Sequence, residues 1–408
     1  MRGKKYFTFI IALIIGMAVL SSSVQAKETI KIGVVVPLTG SFADAGNEMV
    51  RGAKMAVEKI NGGGGLLGKT LEIIVGDVGN FSAEKIVSVG ERLVNRDKVD
   101  LLLTHFLGGV IDIKAFGKYD IPYLHNDTSQ AAAKLVSENL HQYWNVFQSD
   151  STEMSYPKGI LHFVTHSFSA ATRYDYNNKK IALVTMERAY NERISKEFKS
   201  LVKKSNWELV VDEKTPGGTV EWASALTKIR KEKPSVIFLN DHIPSDEIAF
   251  IEQFKMNPTK SLIFIQYGPG NPAFLTLGKQ KTNGIFWGSN WGAFGKKGQE
   301  WRRNYEKKFG EKAGIGTGAG TYSNTMIWAE AVKKAGNEKN YKEVCRMIRE
   351  YPHQVVGGVH VFNPNTQTAI YGEGLLPMLI FQVQNEVHKL VAPIVYAEAD
   401  MLVPEWMK

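Results

Sequence analysis

Apolar runs of strand length alternate along this chain with stretches whose apolar positions recur every three to four residues. Residues 30–36 (IKIGVVV) are apolar enough for a strand buried on both faces. Residues 47–60 follow with Met49, Val50, Ala53, Ala56, Val57 and Ile60 on one helical stripe. Residues 71–76 predict a second strand, and residues 82–95 a helix with Ser82 as N-cap and Glu84 in its first turn. Two more strands are predicted at 99–103 and 121–124, with a short helix between them. The rhythm resumes with strands at 180–185, 208–211, 236–239 and 262–266, separated by helices centred on 190–204, 221–232 and 245–255. Strand–helix alternation of this kind predicts parallel sheets joined by right-handed crossovers.

Two such blocks flank residue 150, and residues 143–154 (YWNVFQSDSTEM) read as a crossing between them. Residues 298–351 are mostly helical in pattern. The tail alternates around 359–362 (VHVF), turns at Asn363-Pro364-Asn365 and ends with a hydrophobic strand at 375–383. At the other end, Arg2, Lys4 and Lys5 precede an apolar run over 6–20, three serines and Val24-Gln25-Ala26. Small residues at −3 and −1 predict a secretory signal peptide cleaved after Ala26. The one cysteine, Cys345, is far from that site, so lipidation there is chemically excluded. No later stretch reaches the roughly 20 apolar residues that span a bilayer. The mature protein is expected to be exported, free of stable membrane insertion, and periplasmic.

Composition narrows the functional classes. Hydrophobic residues make up 44% and charged residues 22% of the 408, which excludes a disordered or fibrous chain. A single cysteine excludes a disulfide scaffold and a CxxC metal site. The formal charge of +9 falls to +6 without the leader, which carries three basic side chains and no acid. No dense Lys/Arg block with interleaved aromatics occurs, so nucleic acid is not expected as a partner. Residues 63–70 (GGGLLGKT) match the phosphate-loop pattern letter for letter, yet a helix leads in and a strand leads out. Phosphate binding needs the reverse order, so this is a helix C-terminus with a glycine turn. The glycines of 314–320 (GIGTGAG) follow a helix and not a strand, and predict a flexible approach to a helix starting near Thr321. His105, His125 and His242 all fall near the C-terminal ends of predicted parallel strands, where open α/β sheets bind ligands. The sequence offers no HExxH, no nucleophile elbow and no paired carboxylates, so no catalytic residue, metal or cofactor is expected.

The words IKIGVVVPLTGSFADAG and RGAKMAVEKINGGGGLLGKTLEIIVGD, in this order directly after the leader, resemble the type I periplasmic solute-binding proteins of branched-chain amino acid and amide ABC importers. Fainter similarity continues through KKIALVTMERAYNER, KPSVIFLNDHIPSDE, SLIFIQYGPGNPAF and TYSNTMIWAEAVKKAG. The resemblance implies an α/β fold of two lobes, each a mostly parallel sheet flanked by helices, joined by three hinge crossings. The expected division is a leader at 1–26, first lobe 27–149, second lobe 150–288, first-lobe return 289–356, and second-lobe return strands with the tail at 357–408.

Carried over residue by residue, the family's pocket falls on Phe42, Ala45, His105, Phe106, Leu107, Asp127, Thr128, Ser129, Tyr190, His242, Tyr267 and Gly268. Two departures stand out. The family's amino acid binders hold the ligand ammonium with a glutamate in a G-P-E-G-like loop, where this chain has Gly268-Pro269-Gly270. Their serine-rich turn is replaced by His105-Phe106-Leu107. A buried ammonium needs a counter-charge, so an apolar or aromatic carboxylate or amide is the favoured ligand. Phe106, Tyr190, Tyr267, Trp287 and Trp291 would pack its body, and Asp127 is the alternative counter-charge. The implied function is that of a monomeric binding component delivering a small solute to a membrane permease. Branched-chain or other amino acid binding, or ligand sensing for a receptor, are the alternatives, ahead of enzymatic activity.

Overall fold

The computed structural model describes residues 28–40 and 42–408; the expected leader lies outside the described residues. Strand β1 (Thr29–Val36) pairs in parallel with β2 (Thr70–Asp77) over its whole length and with β3 (Leu101–Leu103) on its other side. Strands β4 (Tyr123–His125) and β5 (Val146–Gln148) complete a parallel sheet of order β2-β1-β3-β4-β5. Helix α1 (Ala43–Gly62) packs Met49, Ala53, Val57 and Ile60 onto the β1 side chains, as the 3.6-residue pattern requires. On the opposite face, α2 (Ala83–Glu91) starts where the Ser82 hydroxyl accepts from the Lys85 N–H. Helices α3 (Ile111–Phe116) and α4 (Gln130–Glu138) share the core of that face.

After β5 the chain enters α5 (Ser155–His162), which continues through a π-turn to Thr172. It then builds a second sheet from β6 (Lys180–Met186), β7 (Glu208–Thr215), β8 (Val236–Asn240), β9 (Leu262–Ile265) and β10 (Phe286–Ser289). Helices α6 (Ala189–Val202), α7 (Ala223–Glu232), α8 (Pro244–Met256) and α9 (Pro272–Gly278) connect these strands. Three further helices follow: α10 (Gly295–Phe309), α11 (Thr317–Ala335) and α12 (Tyr341–Glu350). Of these, α11 and α12 return to the first lobe, where Ile327, Trp328, Val344 and Ile348 share a core with β1. A small hairpin, β11 (His353–Val355) with β12 (Gly358–His360), leads to β13 (Leu379–Gln384) and β14 (Val387–Ala392). These last two strands add antiparallel to the second sheet, whose order is β14-β13-β10-β9-β8-β6-β7.

The returning segment stays with the first lobe past residue 357. Val355, Phe362, Ala369 and Leu376 lie in the first-lobe core, and the Gln148 N–H donates to the Gln367 carbonyl. Tyr371 already packs on the second-lobe core, and the buried apolar side chains change lobes between Leu376 and Met378. Sequence patterning missed β5, β10, β11 and β14, strands of three to six residues that leave too short a run to separate from loop. Among the described residues, no helix is long and apolar enough to cross a membrane.

Candidate functional site

Side chains that follow β3, β4 and β5 meet side chains that follow β6, β9 and β10, so the C-terminal strand ends of the two sheets share one seam. Thr128, after β4, and Tyr190, in the first turn of α6, bring their hydroxyls to 3.2 Å across it. Glu153, in the crossing after β5, accepts from the Gln130 N–H at 2.5 Å and from Arg193 Nε of α6 at 2.7 Å. These bonds clasp the first-lobe loop 127–130 to the second-lobe helix; the neutral Thr128–Tyr190 bond contributes about 0.5–1.5 kcal/mol net. A third contact is aromatic, with the His105 ring lying 4.6 Å from that of Trp291.

The first-lobe wall is largely a polar network tied inward. Asn324 of α11 donates to Asn126 Oδ1 at 2.8 Å and so fixes the β4 end against the returning helix. His105 is 1% exposed with Nδ1 unpartnered, and burial lowers its pKa to about 4. Asp127 Oδ2 accepts from the Leu107 N–H at 3.4 Å and lies 3.6 Å from His125 Nδ1. Beneath it, Asp112 receives the Tyr123 hydroxyl at 2.5 Å, and burial raises its carboxyl to about 6. Asp112, His125 and Asp127 together form a geometry that could take a cation, though two of the three are already bonded to protein donors.

The second-lobe wall is aromatic. Tyr267, after β9, meets Tyr190 edge-on at 6.1 Å and Tyr156 of α5 at 6.2 Å, while His242, after β8, stacks on it at 5.8 Å and 6°. Burial lowers His242 to about 4 and lifts the Tyr267 phenol to about 12. The imidazoles of His105 and His242 are therefore neutral at physiological pH; they offer hydrogen bonds to a carboxylate but no charge.

The positions carried over from the sequence divide into groups. Thr128, Tyr190, His242, Tyr267 and Gly268 gather on or beside the seam, and His105 closes it through Trp291. Phe42 and Phe106 form an aromatic rim with Phe81, with centroids 5.2–5.9 Å apart, and Ala45 packs under it on the first-lobe core. Asp127 reaches the seam through its loop and faces His125. Ser129 serves as N-cap of α4, accepting from the Ala132 N–H at 3.1 Å. Leu107 turns its side chain into the core with Ile113 and Phe116, leaving its N–H for Asp127. Trp287 is likewise a core residue, stacked on Phe381 at 4.4 Å. His125 is sealed among Tyr123, Asp112 and Asp127, because a three-residue strand places it one residue inside the strand end. Sequence reasoning passed over Tyr156, Asp150, Glu247 and Asn290. Asp150 and Tyr156 both follow the unrecognised β5, and Glu247 reads in sequence as an ordinary first-turn acid of α8.

A two-lobed α/β protein whose strand ends converge on one interlobe seam, with buried polar atoms left open there, is a solute-binding architecture. The periplasmic binding protein family matches residues 29–387, and this chain belongs to it. Leu/Ile/Val-binding protein homolog 7 of Brucella suis biovar 1 is 23% identical over 328 residues, covering 78% of this chain and 80% of that one. The crystal structure of a provisionally assigned branched-chain amino acid ABC transporter from Silicibacter pomeroyi superposes with a TM-score of 0.88 at 25% identity, covering 93% of this chain and all of that one. The substrate-binding protein LivJ from Streptococcus pneumoniae, solved with isoleucine, gives 0.71 at 21% identity over 88% and 98%. A solute-binding protein of R. palustris, solved with benzoate, gives 0.68 at 16% identity over 93% and 99%. The family and the two-lobed fold expected from the opening motifs are those found.

Proposed function

We propose that this protein is the extracytoplasmic solute-binding component of an ABC importer, a binding protein and not an enzyme. It holds one small solute between its lobes and hands it, as a periplasmic monomer, to a membrane permease. The observation that carries this reading is the Thr128–Tyr190 bond, with Glu153–Arg193 beside it: side chains of both lobes join at the strand ends. A ligand that touches both walls favours the closed arrangement by its differential affinity for the two states. The family's relatives that carry isoleucine or benzoate support a small organic solute as cargo.

Mass spectrometry of solute released from purified protein identifies the cargo, and small-angle scattering with and without it reads the closure. The expected result is a smaller radius of gyration on binding. An unchanged radius at saturation, with an open unliganded form, would contradict hinge closure.

A further inference from the structure

Beneath the first-lobe wall, three side chains that can ligate a metal ion face one another from consecutive elements. Asp112 stands in the first turn of α3, His125 is the last residue of β4, and Asp127 lies in the loop that follows. One ligand atom of each lies within 4.8 Å of the other two. His125 Nδ1 and Asp127 Oδ2 are already 3.6 Å apart.

The protein leaves this group poorly satisfied. His125 is 0% exposed, and neither of its ring nitrogens has a hydrogen-bond partner. Both imidazole nitrogens are polar in every protonation state, so burying them without partners is costly. Asp112 is also 0% exposed, and its donors are the Tyr123 hydroxyl and its own backbone N–H. Asp127 takes the Leu107 N–H at a long 3.4 Å. Two carboxylates thus face one imidazole, and among the described residues no lysine or arginine forms an ion pair with either. A proton on His125 does not meet the need. Its Nδ1 stands beyond hydrogen-bond length from Asp127, and its Nε2 has no acceptor.

We infer that Asp112, His125 and Asp127 form a site for one divalent transition-metal ion, with zinc as the expected occupant. Two carboxylates and a neutral imidazole carry two negative charges, which one divalent ion neutralises. The imidazole selects zinc-like ions over calcium and magnesium, which take oxygen ligands. Zinc–ligand bonds of about 2.0–2.2 Å hold tetrahedral ligand atoms roughly 3.3–3.6 Å apart. The His125–Asp127 pair is at that spacing, and the rest of the set needs to contract by at most about 1.5 Å. Asp127, its side chain 11% exposed, gives the ion a way in. A bound ion would brace the 127–130 loop, whose Thr128 hydroxyl and Gln130 N–H make the bonds across the seam. The site lies below the cleft and does not depend on which solute the cleft carries.

Calorimetry of zinc chloride into chelator-treated mature protein tests it. One ion per chain should bind with a micromolar or lower Kd and raise the Tm, and equal calcium or magnesium should not displace it. Asp112→Asn and Asp127→Asn keep the side-chain size and remove a charge; each should weaken zinc binding about tenfold or more. Asp127→Asn, on the loop, keeps the test available where the buried Asp112 variant fails to fold. The exposed His162 and His166, stacked at 5.4 Å on the helical stretch after β5, are the rival zinc ligands. Replacing both with alanine should leave the affinity unchanged. Zinc binding that survives Asp127→Asn, zinc binding lost in the His162/His166 variant, tighter binding of calcium than of zinc, or no zinc binding at all would each overturn the assignment.

Discussion

Two glycine-rich segments of this chain look alike on paper and serve opposite needs. Residues 63–70 use glycine for backbone freedom: Gly64, Gly65 and Gly68 have φ of +101°, +91° and +80°, and nothing lies within 4 Å of a Cβ built on Gly64 or Gly68. This segment ends α1, makes a tight turn bridged by Leu66 and Lys69, and starts β2. Residues 314–320 use glycine for space, and none of their four glycines has a positive φ. A Cβ would sit 2.5 Å from Glu48 Oε2 at Gly314, 1.7 Å from Trp291 Cε3 at Gly316 and 2.3 Å from His105 Nδ1 at Gly320. The glycines at 318 and 320 are not a flexible approach to a helix; they lie inside α11, which begins at Thr317. Their missing side chains let α11 touch α1 and His105, and the gap at 316 admits Trp291, the ring that bridges the lobes. Glycine spacing alone therefore carries no function, since one absent methyl group can relieve either a dihedral or a contact.

The largest effect is expected at Gly52, the α1 residue that faces α11. Its Cβ would lie 2.0 Å from the Gly318 carbonyl oxygen, backbone against backbone, so Gly52→Ala should cost about 3 kcal/mol in urea denaturation by forcing the helices apart. Next comes Gly320→Ala, which presses on the His105 ring; about 2 kcal/mol is expected, with weaker solute binding by calorimetry as the first-lobe wall shifts. Gly64→Ala meets open space and only the positive φ, so about 1 kcal/mol is expected with solute affinity unchanged. A cost at Gly64 equal to that at Gly52 would erase the distinction between the two segments. Smallest in its effect on binding is Lys69→Ala, which loses an ion pair to the exposed Glu28 at 2.8 Å and one to the buried Glu338 at 2.6 Å. It should leave solute affinity unchanged, and ATP should produce no thermal shift in the wild type. An ATP shift of several degrees that disappears in the Lys69 variant would restore the phosphate-loop reading.

The first-lobe wall was more legible than the second. Ser82 as a cap, the α1 stripe, and helix-before-strand order around residues 63–70 are local properties, encoded within a few residues of one another, and each stands in the fold. The seam residues Thr128, Tyr190 and Tyr267 were reached through family motifs anchored on such local words. His125 was misleading because the strand runs one residue further than its pattern predicts and takes the ring into the interior, and Leu107 because its side chain turns into the core with Ile113 and Phe116. Glu247 could not be distinguished in sequence from the adjacent Asp246, which accepts from the Gly218 and Thr219 N–H groups at 2.6 Å and 3.0 Å as an ordinary loop anchor.

By itself the sequence determined the alternation of strands and helices, the absence of disulfide chemistry, and the family, because hydrophobic periodicity and turn residues act over short distances. Only the tertiary structure decided what stands at the seam. Residues 42, 105, 128, 150, 190, 247, 267 and 291 are scattered over most of the chain, and no local signal couples them. The burial that neutralises His105 and His242 and strands Glu247 without a partner exists only once the two sheets and the returning helices have closed around them. Desolvation is a property of the assembled interior, and it sets the charge of this cleft.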